Sequence, residues 1–181
     1  MQNDNAKLKN DFLENVIATN SIFAAFGRAN IYSPIANKKD KEKLKHFIKA
    51  RLKKYLDEYD GGNISEKEHI SNIQKLADET STYFRDILLD GRLRIGTAQK
   101  LLNLYLKYIW VLGWMKKPPP HCPFDSRVIG KLGKNVSIKC KKFTETDDEN
   151  CYYEWVNAVR NIAGEKIAEW ELRFFNETNR V

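Results

Sequence analysis

The chain is poor in the residues that interrupt helices and in those that cross-link a fold. Nine glycines and five prolines in 181 residues argue against a turn-rich all-β chain and against a low-complexity one. Cysteine is scarce and odd in number. Cys122, Cys140 and Cys151 fit a reducing, cytoplasmic compartment better than a disulfide scaffold. No apolar run approaches the roughly 18 residues of a membrane span, and the opening MQNDNAKLKND lacks the apolar stretch of a secretory signal. A membrane partner is therefore not expected. His46, His69 and His121 are the three histidines, and no H-E-x-x-H pairs them. Phosphate-loop, dinucleotide and nucleophile-elbow patterns are missing too. His121 and Cys122 beside Cys140 and Cys151 match no zinc-site spacing. No metal and no cofactor are expected.

What is present is apolar and basic. The chain is 42% hydrophobic and 12% aromatic, enough to bury a core and to exclude wholesale disorder. Its net charge of +7 is unevenly spread. Residues 38–54 carry nine basic and two acidic side chains, and residues 85–142 carry thirteen and three; the segments between and after them are acidic. A polyanion is the natural partner for such blocks, although lysine-rich helix faces are often merely solvated.

The hydrophobic spacing is helical almost throughout and predicts an all-α fold of some seven helices in one domain, 1–181, with sub-lobes 1–90 and 91–181 conceivable. Leu8, Phe12, Val16, Ile17 and Ile22 mark a first helix over 7–24. A second runs from Lys38 to Tyr59, with Lys41, Lys45, Lys49 and Lys53 on its outer face. Ser65 and Glu68 form a capping box for a third, whose apolar stripe extends through Tyr83 and Phe84 to Ile87. After the basic link Arg92–Gly96, Gly96 or Thr97 caps a very apolar helix running to about Trp114. Its narrow polar stripe is Lys100, Asn103 and Lys107, with Gln99 beside it. KKPPPHCPFD (116–125) is a rigid linker, because three successive prolines forbid helix. A short helix over 126–132 follows, then irregular chain with a short strand at Val136–Cys140. A second capping box, Thr146 to Glu149, opens a helix with Tyr152, Trp155, Val156, Val159 and Ile162 inward. Gly164 ends it, and a last helix turns Ile167, Trp170, Leu172 and Phe174 toward the body. Glu165, Glu169 and Glu171 decorate this helix without partner histidines.

The unusual features concentrate between Arg92 and Arg127. A turn such as Arg94-Ile95-Gly96-Thr97 can offer backbone N–H groups and a helix N-terminus to a phosphate, with Arg92, Arg94, Lys100 and Lys107 adding charge. The stretch RIGTAQKLLNLYLKYIWVLGWMKKPPPHCPFDSRVIGKLG resembles the helix-hairpin-helix DNA glycosylases, nearest the archaeal 8-oxoguanine glycosylase branch, over about residues 92–133. Pro123-Phe124-Asp125-Ser126-Arg127-Val128 is similar to that superfamily's catalytic-aspartate segment. Gly96 and Lys100 stand for its hairpin glycine and catalytic lysine, with Arg94 where a first glycine is usual.

The resemblance implies a glycosylase, with or without lyase activity, acting on a damaged or modified base flipped from DNA. Lys100 would be the nucleophile and Asp125 the charge stabiliser. Arg92, Arg94, Gly96, Thr97, Lys107 and Arg127 would hold the nucleic acid, and Trp110, His121 and Phe124 would form the base pocket, with Trp114, Tyr152 and Trp155 as further aromatics. Other readings stay open on the residues alone. Asp125 is also a good helix cap, Lys100 also fits a wet stripe, and the aromatics also fit a core. The whole chain also fits a non-catalytic nucleic-acid-binding module of a restriction or defence assembly, or a helical adaptor. Oligomeric state is not encoded legibly.

Overall fold

The computed structural model describes residues 2–61 and 64–178. It is all-helical: α1 (Gln2–Phe26), α2 (Lys38–Asp60), α3 (Glu66–Phe84), α4 (Ile95–Val111), α5 (Ser126–Leu132), α6 (Glu149–Ala163) and α7 (Ile167–Thr178), with 3-10 turns at Arg85–Ile87, Leu89–Gly91, Gly133–Asn135 and Ile138–Cys140. No strand forms among the described residues; Tyr32 and Leu88 make an isolated antiparallel bridge. None of the described helices is long and apolar enough to cross a membrane.

The caps show why the helices begin where they do. Asn37 opens α2 by accepting from the Asp40 amide. Ser65 and Glu68 make both bonds of the expected capping box at α3, Ser65 Oγ accepting from Glu68 N at 3.2 Å and Glu68 Oε2 from Ser65 N at 2.8 Å. Two orphan amides are satisfied at once, which fixes the start of the helix.

At the centre lies α4. The long α1 and α3 pack along it, and α2 and α6 touch it. Leu101, Leu102, Tyr105, Leu106 and Ile109 are fully buried, as a helix apolar nearly all round requires. One continuous core runs from Ile17 on α1 to Ile167 on α7.

Several expectations need correction. Helix α4 begins at Ile95, so Gly96 and Thr97 lie inside its first turn and neither caps it; it stops at Val111, short of Trp114. The expected strand at Val136–Cys140 is instead a 3-10 turn over Ile138–Cys140, with Ile138 86% exposed. Thr146 does not cap α6. Its hydroxyl donates back to Lys142 O at 2.9 Å, and Asp148 takes the cap by accepting from Asn150 N. Tyr83 and Ile162, placed inward by spacing, are exposed. Cys140 and Cys151 form a disulfide, with Cα atoms 5.2 Å apart, that ties the 138–140 turn to α6. Trp155 Nε1 donates to Cys140 O beside it. Cys122 is the free thiol, and it is buried.

Candidate functional site

The basic turn before α4 is already satisfied by the chain itself. Ile95 N donates to Asp147 Oδ1 at 2.8 Å, and Gly96 N donates to Thr146 O at 2.9 Å. A carboxylate of this chain therefore sits where an incoming phosphate would. The arginines are answered as well. Arg92 pairs with Asp78 and Asp147, and Arg94 with Asp90 while also donating to Thr144 O. Gly96 serves close packing. A Cβ there would come within 1.9 Å of Phe143 O, so the segment 143–147 lies directly on the helix. Thr97 is 1% exposed. The expectation that Arg92, Arg94, Gly96 and Thr97 present an open phosphate-binding turn is thus corrected. Residues 143–147 cover it, because Gly96 allows their backbone to approach.

One turn further along, the arrangement changes. Lys100 and Lys107 of α4 border a cavity of about 520 Å³, closed by Phe23, Ala24, Gly27 and Arg28 from the end of α1, Pro123, Asp125 and Arg127 around the start of α5, and Glu171 and Phe175 of α7. Tyr108 completes an aromatic wall with Phe23 and Phe175. Lys100 and Asp125, 25 positions apart in sequence, therefore face one space.

Asp125 reaches that space because the proline-rich segment is pinned from within. Gln99 Nε2 donates to Phe124 O at 2.7 Å, and Gln99 Oε1 accepts from Phe124 N at 3.1 Å. One turn on, Asn103 Nδ2 donates to Cys122 O at 2.9 Å. These two amides, four residues apart, share a helix face. They anchor 122–124 to α4, so the following Asp125 is held at the cavity edge. Asp125 Oδ1 accepts from Arg127 N and Val128 N, so it also caps α5. Across the cavity mouth, Arg28 donates to Ser126 Oγ at 3.1 Å.

The two lysines differ in character. Lys107 is ion-paired with Glu171, at 2.9 Å to Oε1 and 2.6 Å to Oε2, and both side chains are buried. Burial pushes the Glu171 carboxyl above its usual range, against the pull of Lys107. Lys100 has a neutral partner: its Nζ donates to Ala24 O at 2.8 Å and lies 4.7 Å over the Phe143 ring. Burial lowers the Lys100 pKa, with Asp125 opposing and Arg28 reinforcing that shift. An amine so placed is more readily neutral, hence more nucleophilic, than a solvated lysine.

The expected base pocket lies elsewhere. His121 and Phe124 are fully buried on the far side of the linker. His121 Nδ1 is 2.8 Å from Tyr152 Oη, and Phe124 packs on Tyr152 and Trp155. Trp110 and Trp114 pack against the core. None of these borders the cavity. Tyr152 and Trp155 of α6 back the segment that carries Asp125, Tyr152 Oη meeting both His121 and Asn103 of the helix face that pins it. Spacing alone missed Phe23, Arg28, Tyr108, Glu171 and Phe175. Glu171 had a legible signal, since it stands four residues after Ile167, in phase with the buried face of α7. Among the described residues, no three His, Cys, Asp or Glu converge to hold a metal.

No protein-family model, curated protein or solved structure matches the chain. The likeness to helix-hairpin-helix glycosylases therefore rests on residues 92–133 alone.

Proposed function

We propose that the chain is a nucleic-acid-processing enzyme of glycosylase type that takes a modified base into the cavity between α1, α4, α5 and α7. The observation that carries this reading is the convergence of Lys100 and Asp125 on one aromatic-walled space. Lys100, its ammonium form disfavoured by burial, attacks C1′ as the glycosidic bond breaks. The base leaves with the bond electrons and takes up a proton. The carboxylate of Asp125 stabilises the positive charge that develops on the sugar. Ring opening then gives a Schiff base on Lys100, the intermediate of a lyase step. Phe23, Tyr108 and Phe175 offer faces for an extruded base.

The non-catalytic alternative has less to stand on. Its phosphate contacts would fall on the turn before α4, which residues 143–147 occupy. On α2, Lys45 is paired with Glu42 and Lys53 with Glu14.

The test is borohydride trapping on a panel of oligonucleotides, each carrying one modified base. A covalent adduct forms with the wild type and is lost in Lys100→Gln. Asparagine caps helices as well as aspartate does, so Asp125→Asn keeps the fold, and base release falls about 10²–10³-fold. No adduct with any base, or undiminished release in Asp125→Asn, overturns the proposal.

A further inference from the structure

A second cavity adjoins the first. It has a volume of about 340 Å³ and lies between α1 and α2, walled by Ile22, Phe23, Phe26 and Tyr32, with Lys45, His46 and Lys49 at its rim. Phe23 and Gly27 border both cavities. Phe23 is 78% exposed, so an open phenyl ring stands where the two spaces meet. The flanking charge is mainly cationic: Arg28, Lys100 and Arg127 against Asp125 on one side, and on the other Lys49 with Lys45, the latter paired with Glu42 at 2.8 Å. Lys49 Nζ donates to the neutral Asn15 Oδ1 at 2.7 Å, which leaves its charge available to an anion.

We infer that this face binds single-stranded nucleic acid, with two successive nucleotides straddling Phe23, one in the Lys100–Asp125 cavity and its neighbour in the α1–α2 cavity. The inference rests on reading the first cavity as a base site and adds a second subsite and a strand preference. Aromatic rings flanked by cationic rims fit a strand whose bases are free to stack and whose phosphates run alongside. A duplex hides its base faces and would need phosphate contacts such as the turn before α4 could have given. Asp147 and Thr146 already occupy those amides.

Fluorescence anisotropy with labelled oligothymidylate, alone and annealed to its complement, tests this. The single strand binds at least about tenfold tighter than the duplex, and Phe23→Ala weakens single-strand binding by about tenfold. Because the ring is exposed, the melting temperature of that variant stays at the wild-type value. Lys45→Gln with Lys49→Gln reduces the salt dependence of binding by about one to two phosphate contacts. Equal affinity for duplex, or full affinity in Phe23→Ala, overturns the inference. So does light scattering that finds a dimer dissociated by Phe23→Ala, which would make this face a contact between copies. The anisotropy needs no chemistry at Lys100. Retained trapping without strand preference therefore removes the second subsite alone, and retained strand preference without trapping removes the catalytic reading alone.

Discussion

The basic turn before α4 and the cavity at Lys100 behave oppositely. At its first turn the helix meets Arg92 and Arg94, yet each is paired with a carboxylate, and the free amides of Ile95 and Gly96 are taken by Asp147 and Thr146. One turn later Lys100 faces a cavity, its amine held by the Ala24 carbonyl and the face of Phe143, with no carboxylate at hydrogen-bond distance. The first cluster looks more like a phosphate site in sequence, and the second has the free valence. A basic residue in a sequence becomes a site only where the fold leaves it without a carboxylate partner, so the available amine is the buried one.

The largest test of this contrast is Gly96→Ala. The new methyl would meet the Phe143 backbone, which cannot yield as a flexible side chain would, so the cover over the turn must lift or the helix must shift. The expected loss is about 4 kcal/mol or more in urea unfolding, above the roughly 1–3 kcal/mol usual for core overpacking because the obstacle is backbone. At Gly130 in α5 a Cβ meets nothing within 4 Å, and alanine there is worth about 0.5–1 kcal/mol of added stability. If Gly96→Ala is equally benign, residues 143–147 do not seal the turn, and the phosphate-site reading of it returns.

The Lys107–Glu171 pair sits at the cavity's inner edge. Lys107→Met leaves Glu171 buried without its cation, at an expected cost of about 3–5 kcal/mol. Adding Glu171→Leu restores most of that loss, because two buried charges are exchanged for apolar packing. A loss below about 1 kcal/mol would mean that Lys107 behaves as a solvated lysine, leaving it free to bind a phosphate.

The sequence made some of this legible and hid the rest for physical reasons. Local signals survived folding: the Ser65–Glu68 box and Asp125 before α5. These depend on neighbours within a turn. Residues 134–149 are irregular as expected, but the strand at Val136–Cys140 and the Thr146 cap fail because distant partners set the local shape: Gly96 beneath Phe143, Asp147 on Ile95 and Arg92, and the Cys140–Cys151 link. The candidate site was half legible. Lys100, Asp125, Lys107 and Arg127 do border one cavity. Its aromatic wall comes from α1 and α7, at opposite ends of the chain, where no spacing connects Phe23 to Phe175. Phe124 is adjacent to Asp125, and neighbours along an extended segment point to opposite sides, while His121 is held away by Tyr152.

A third flank of α4 predicts acid sensitivity. His69 and His121 lie fully buried with ring centroids 4.9 Å apart, His69 against Tyr59 Oη and His121 against Tyr152 Oη. Burial lowers both, the His69 imidazole from 6.5 to about 4, and neighbouring His69 and Arg160 depress His121 further. Between pH 6.5 and about 4 the unfolded chain therefore binds a proton at His69 that the folded chain refuses. Stability is fully present above pH 6.5 and falls with acid, by about 3 kcal/mol for His69 alone. Urea midpoints across pH 7 to 4 measure it, with His69→Gln flattening the curve. An unflattened curve would assign the acid loss to carboxylate pairs, those of the α4 turn among them.

The smallest effect asks whether the turn before α4 is masked or merely unsuited to anions. Asp147→Asn keeps an oxygen for the Ile95 amide but removes the charge that Arg92 meets at 2.9 Å. Because Asp147 is partly exposed and Arg92 retains Asp78, the expected stability cost is about 1 kcal/mol or less. The informative readout is binding. If the chain's own carboxylate blocks the turn, neutralising it raises affinity for duplex DNA about two- to fivefold at low salt, the worth of one surface charge. That gain should vanish as salt rises, while single-strand binding at Phe23 changes less. If duplex affinity does not move, covering by Phe143 and Thr146 closes the turn irrespective of charge. The turn and the cavity at Lys100 then differ by access, since a phosphate reaches only the cavity.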